Sequence, residues 1–188
     1  MRIHRLENVR RMLLDKCEML DTIKNADMDA VTVVDRAEWR MKKSRSIFRK
    51  TDEQISDILM EFSEKFPDAG LFNFSYGTAI QVEKLGGPLT GQYDFYYARL
   101  RDGDGLEPDF VVPAGKCLVA YCQGDCISEW EAAAPAYRRI LACAKEKGLR
   151  LVGYAYERGM NEMSIDSLED YVLQITVPCV EIGKSQGR

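Results

Sequence analysis

Apolar residues recur at steps of three and four near the start of the chain: Leu6, Val9, Leu13, Cys17, Leu20 and Ile23. That period marks one face of a helix, here over residues 3–26. Residues 25–29 (NADMD) break it, and the pattern then turns to loose alternation rich in β-branched residues, AVTVVDRAEWRMKKS. This predicts a strand. Helical spacing returns after Thr51, where Ile55, Ile58, Leu59, Phe62 and Phe66 make a stripe. Thr51 with Gln54 predicts a capping box, and Pro67 and Gly70 predict the stop. Strands at 71–85 and 92–100 follow, separated by Gly86-Gly87-Pro88. Residues 102–105 (DGDG) read as a flexible joint.

The order then repeats. Residues 109–123 are strand-like, with Pro113-Ala114-Gly115 as a kink or edge feature. Residues 126–147 read as a helix with Ile127, Trp130, Ala134, Tyr137, Ile140, Leu141 and Ala144 inward. Pro135 predicts a kink there, or a helix that starts at that point. Strands at 150–157 and 170–177 close the chain. The predicted fold class is α+β: a strand–helix–strand–strand unit, used twice, forming an antiparallel sheet with helices on one face. Residues 1–27 precede it as a linker or dimerisation helix: the apolar stripe either packs on the domain that follows or pairs with a second copy, since Leu6, Leu13 and Leu20 sit one heptad apart. Residues 28–188 are then one binding domain of two repeats, 28–103 and 104–182. The cleft between the halves is a natural place for a ligand.

Composition narrows the function classes. The net charge is −4, and the main basic run is RMKKSRSIFRK at 40–50. A solvated strand end explains such a run better than a phosphate track, so direct nucleic-acid binding is not expected. No apolar run is long enough to span a membrane. The polar, helical N-terminus does not read as a signal peptide. A cytoplasmic location and free thiols are expected for the six cysteines, at 17, 117, 122, 126, 143 and 179. Cys117, Cys122 and Cys126 lack the tight spacing of a zinc knuckle, and the single histidine, His4, is distant. No metal and no cofactor are expected.

The candidate chemistry lies at 150–178. Alternation along the first strand puts Leu149, Leu151, Gly153, Ala155 and Glu157 on one face. A carboxylate closing an apolar face is costly unless something pairs with it. The plain alternative is an exposed strand-end carboxylate paired with Arg158 or Arg150. Aromatic residues crowd the predicted sheet, among them Trp39, Tyr93, Tyr96, Tyr156 and Tyr171. Each is individually explained by packing. Together with Glu157 in one groove they would suit a planar lipophilic cation, since each desolvated ring face adds about 0.5–2 kcal/mol.

Several pieces of residues 108–179 resemble the GyrI-like, or BmrR-type, effector-binding domain of MerR-family multidrug-responsive transcription regulators. They are PAGKCLVA at 113–120, the Gly124 turn, KEKG at 145–148, Tyr156-Glu157, and DYVLQI at 170–175 before Val177-Pro178. The resemblance implies a duplicated strand–helix–strand–strand fold that binds drug-like, often cationic ligands between its halves. It implies that Glu157 is the acidic contact and Tyr171 an aromatic wall. Tyr156, Tyr93, Tyr96, Trp130 and Trp39 complete the expected site. It also makes the N-terminal helix the dimerising link to a DNA-binding module. No such module precedes it here, which suggests an effector part alone or a protein without a DNA-binding domain. The cysteines at 117, 122 and 126 depart from the larger residues expected there and alter the pocket.

Three functions compete. The first is ligand sensing, with a preformed aromatic cleft. The second is hydrolysis of reactive small molecules, with Glu157 as general base; no second catalytic group is evident, so an enzyme is the alternative. The third is a gyrase-inhibitor-like protein-interaction module, for which an acidic surface suits a basic partner.

Overall fold

A computed structural model of the chain describes residues 2–66, 71, 74–162 and 165–183, without the side chains of residues 2–9, 11 and 12. Pro67, Gly70 and the side chains of His4, Leu6 and Val9 therefore lie outside the described residues. Helix α1 spans Arg2–Asn25. Strands β1 (Val31–Arg36) and β2 (Trp39–Lys43) follow, then α2 (Asp52–Ser63), β3 (Ser75–Gln81) and β4 (Phe95–Leu100). The second half runs β5 (Phe110–Val112), β6 (Gly115–Gln123), α3 (Ala134–Glu146), β7 (Leu149–Leu151), β8 (Tyr154–Gly159) and β9 (Val172–Glu181).

The strands form one antiparallel sheet in the order β1-β6-β9-β8-β3-β4-β2-β5, with β7 paired to β9. The fold class is the duplicated α+β unit expected. The order is symmetric about the β3–β8 pair: β1 answers β5, β6 answers β2, and β9 answers β4. The outermost strands are exchanged. Strand β1 pairs with β6 of the second half, and β5 pairs with β2 of the first.

Three expected elements are broken more finely than the alternation suggested. The strand over 30–44 splits at residues 37–38, and that over 109–123 splits at Pro113-Ala114. Proline supplies no N–H to a ladder, so pairing stops there. The strand over 150–157 splits at Gly153, which takes φ +73°. An L-residue with a side chain is strained in that region. Leu149 and Leu151 therefore belong to β7, and only Ala155 continues the face of Glu157. The helix expected over 126–147 begins as a single 3₁₀ turn, Trp130–Ala133, and becomes α3 at Ala134 with Pro135 in its first turn. Proline is at home there because that N–H has no helical partner.

Helices α2 and α3 cover one side of the sheet. The core there joins Ile58 of α2 and Tyr137, Ile140 and Ala144 of α3 to Ile80, Leu118, Ala120, Ile175 and Val177 of the strands, all buried. Each large apolar side chain so buried contributes roughly 1.5–3 kcal/mol. Helix α2 starts as its sequence predicts. Thr51 Oγ1 accepts from Gln54 N, and the Gln54 side chain accepts from Thr51 N. Helix α1 meets the other side of the sheet, where Met19 packs with Met160 and Val172.

Candidate functional site

Glu157 sits on β8 in the middle of the sheet. Its register partners are Thr78 on β3 and Ile175 on β9. The pleat turns its carboxylate toward α3, and the residue is 5% exposed. It is not the exposed strand-end carboxylate of the alternative reading. Three hydroxyls donate to it. Tyr93 Oη and Tyr137 Oη each lie 2.6 Å from Oε1, and Thr78 Oγ1 lies 3.1 Å from Oε2. Thr78 and Tyr93 come from the first half of the chain and Tyr137 from the second, so the carboxylate joins the halves at the symmetry axis.

No cation balances this charge among the described residues. Burial pushes the Glu157 carboxyl above its ordinary range, and the bonds from Tyr137, Tyr93 and Thr78 draw it only partly back. Burial, followed by the negative charge of Glu157, drives the phenols of Tyr93 and Tyr137 well above theirs. An uncompensated buried carboxylate carries an effective desolvation penalty of several kcal/mol. Neutral hydroxyl donors recover part of it.

The structure brings Tyr93, Tyr171, Tyr96 and Trp130 to the same side as Glu157. Tyr171 is buried in the core with Tyr93, and Tyr96 packs against its edge. Tyr96 faces Thr78 across the β3–β4 pair. The Trp130 ring lies 4.7 Å from that of Tyr93, centroid to centroid. The 3₁₀ turn carrying Trp130 is tethered by Glu131 Oε1, which accepts from Leu89 N at 2.7 Å and Thr90 N at 3.0 Å. The carboxylate is thus covered; a preformed aromatic cleft with Glu157 largely buried was expected, and Glu157 is buried.

Trp39 and Tyr156 are not part of this group. Side chains alternate along β8, so Tyr156 emerges on the sheet face opposite Glu157. There it packs edge-on to Trp39 at 5.7 Å and to Tyr97 at 5.2 Å. The guanidinium groups of Arg36 and Arg99 stand 4.5 and 5.1 Å from the Trp39 ring. Like charges make that surface a poor receptor for a cation. Beside it, a cavity of about 180 Å³ separates α1 from the sheet, lined by Asp15, Met19, Arg99, Arg158 and Glu162 among others.

Two contacts of Glu157 were missed as site residues. The helical spacing turns Tyr137 inward, and a buried phenol needs an acceptor; that requirement matches what a buried carboxylate lacks. Thr78 had no such signal, because its role depends on the β3–β8 register. The cysteines are free thiols. Cys117 and Cys122 emerge on opposite faces of β6, and among the described residues no three His, Cys, Asp or Glu side chains are placed to hold a metal ion. No described helix is long and apolar enough to cross a membrane.

No family model matches the chain, and no curated protein matches it. Solved structures do share its fold. EcmrR in a DNA complex superposes with a TM-score of 0.60 at 15% identity, covering 96% of this chain and 70% of EcmrR. A hydrolase from Listeria innocua gives 0.51 at 10% identity, covering 85% of this chain and 96% of its own. SAV2435 bound to tetraphenylphosphonium gives 0.50 at 14% identity, covering 80% and 94%. The chain has the fold of a GyrI-like effector-binding domain.

Proposed function

We propose that this chain is the ligand-sensing effector-binding domain of a transcription regulator, and that it takes lipophilic cations at Glu157. One observation carries the proposal: a carboxylate buried at the junction of the two halves, held by three neutral hydroxyls and, among the described residues, by no cation. A cationic ligand supplies the missing charge, and Tyr93, Tyr171, Tyr96 and Trp130 offer it ring faces. Because Glu157 is covered, the ligand displaces the Trp130 turn or a phenol to reach it. Binding and a change of shape are then the same event, as a sensor requires. Signalling to DNA passes through a separate DNA-binding part, with α1 pairing to a second copy.

Titration calorimetry with tetraphenylphosphonium and with neutral triphenylphosphine oxide tests this. Glu157→Gln is expected to weaken the cation roughly tenfold to hundredfold, the cost of a lost charge-assisted contact, and to leave the neutral ligand nearly unchanged. Equal losses for both would overturn it.

A second reading, hydrolysis, is favoured by the raised carboxyl of Glu157 and by the fold shared with the Listeria hydrolase. A general base must reach its proton directly or through one water, and three hydroxyls already occupy this carboxylate. Turnover of an electrophilic small molecule that vanishes in Glu157→Gln would establish it in place of sensing.

A further inference from the structure

Two thiols meet beside the Glu157 site. Cys122 lies near the end of β6 and points to the helix side, opposite Leu173 of β9. Cys126 follows past the Gly124 turn, and its Sγ comes within 3.6 Å of Cys122 Sγ. The charge of Glu157 reaches both sulfurs. The two are not equivalent. Cys122 is buried and Cys126 only half-buried, so a small oxidant meets Cys126 first. Either thiol can donate in this contact, and the one that donates favours a thiolate on its partner. An accessible sulfur within contact of a second, resolving thiol is the arrangement that forms disulfides. Cys117 differs: burial pushes its thiol up to about 11, which keeps it protonated and unreactive.

We propose that Cys122 and Cys126 are a peroxide-reactive dithiol whose closure to a disulfide tightens the cover over Glu157. The Cys126 thiolate attacks a peroxide oxygen and breaks the O–O bond. This gives a sulfenic acid on Cys126 and an alkoxide or hydroxide that takes up a proton. Cys122 then attacks the Cys126 sulfur, the S–O bond breaks, and water leaves. With hydrogen peroxide the balance is two thiols plus H2O2 to one disulfide plus two waters. Closure shortens the sulfur separation from 3.6 Å to about 2.05 Å. The loop at 124–129 is drawn toward β6. It is anchored at one end by Gly124 N donating to Tyr171 O and leads at the other into Trp130. Trp130 rests on Tyr93, which holds Glu157. A tighter loop therefore resists the displacement a ligand needs. This second half rests on the cation-binding role of Glu157; disulfide formation does not.

The test treats the whole chain with hydrogen peroxide and maps its peptides by mass spectrometry without reduction. A Cys122–Cys126 cross-link, reversed by dithiothreitol and absent in Cys126→Ser, is expected, with Cys122→Ser stopping at an oxidised, uncrosslinked Cys126. Affinity for tetraphenylphosphonium is expected to fall about fivefold or more in the oxidised protein, the lower range of typical coupling between sites. Unmodified thiols, oxidation of Cys126 without cross-linking in the parent chain, or pairing with another cysteine would overturn the dithiol. A disulfide that leaves affinity unchanged would overturn the coupling. Should the cation bind neither form, the Glu157 role fails and the coupling with it, while the peptide map still decides the disulfide.

Discussion

At the scale of the residue, Glu157 carries a cost that pH exposes. Its carboxyl is pushed above its ordinary range in the fold by burial, so the folded state binds a proton more tightly than the unfolded one. The stability this contributes is fully present below the unfolded pKa and is lost as pH rises through the folded value. Glu157→Gln carries no charge to desolvate. Its stability relative to the parent chain is therefore expected to grow between those two pKa values, by at most about 1.4 kcal/mol per pH unit. Urea denaturation at pH 4 and pH 7 checks this, and a difference independent of pH would show that the carboxylate is not strained in the fold. Alternation marks Glu157 only in part: the apolar face that it assigns to this carboxylate is broken at Gly153, only Ala155 continues it within β8, and the binding role expected of Glu157 comes from the family resemblance. The same alternation excludes its neighbour Tyr156 from the site; only the resemblance to a Tyr-Glu pair had placed them together. Thr78 and the pairing of Tyr137 were hidden because hydroxyl partners depend on contacts between residues far apart in sequence.

At the scale of the element, starts and stops that depend on neighbouring residues were legible, and pairings were not. The Thr51–Gln54 capping box and the choice offered by Pro135 are local chemistry. The exchange of β1 and β5 between the halves is set by partners far away in sequence, as in the Val31–Ala120 pair, and no nearby pattern encodes it. The β3–β8 pair, on which the site depends, is the sharpest case. Gly77 lies so close to β8 that a Cβ there would fall on the Glu157 carbonyl oxygen. Only a residue without a side chain lets the two strands meet. Gly77→Ala is expected to cost roughly 1–3 kcal/mol, as overpacking does, and to weaken tetraphenylphosphonium binding because Thr78 and Glu157 shift together. A lower denaturation midpoint at unchanged slope, with a parallel loss of affinity, is the expected result. An unchanged midpoint would mean that the strands part without penalty.

At the scale of the whole molecule, α1 is half satisfied by its own chain. Met19 is buried against Met160 and Val172, and Asp15 pairs with Arg101 at the end of β4. Yet Leu13, Leu14 and Leu20 are 55%, 50% and 37% exposed. The heptad spacing of Leu13 and Leu20 is legible in the sequence, and among the described residues nothing buries them. Helices of this kind pair through such stripes, burying each leucine for roughly 1.5–3 kcal/mol. The proposed dimer puts two copies of α1 together and leaves both Glu157 sites on the far sides of their sheets. Sedimentation should then show a concentration-dependent dimer. Leu13→Ser with Leu20→Ser should shift it to monomer without changing the affinity of each chain for tetraphenylphosphonium. A parent chain that stays monomeric at every concentration would leave these leucines without the role proposed for them. A double variant that loses ligand affinity as well would mean that α1 supports the site rather than the partner.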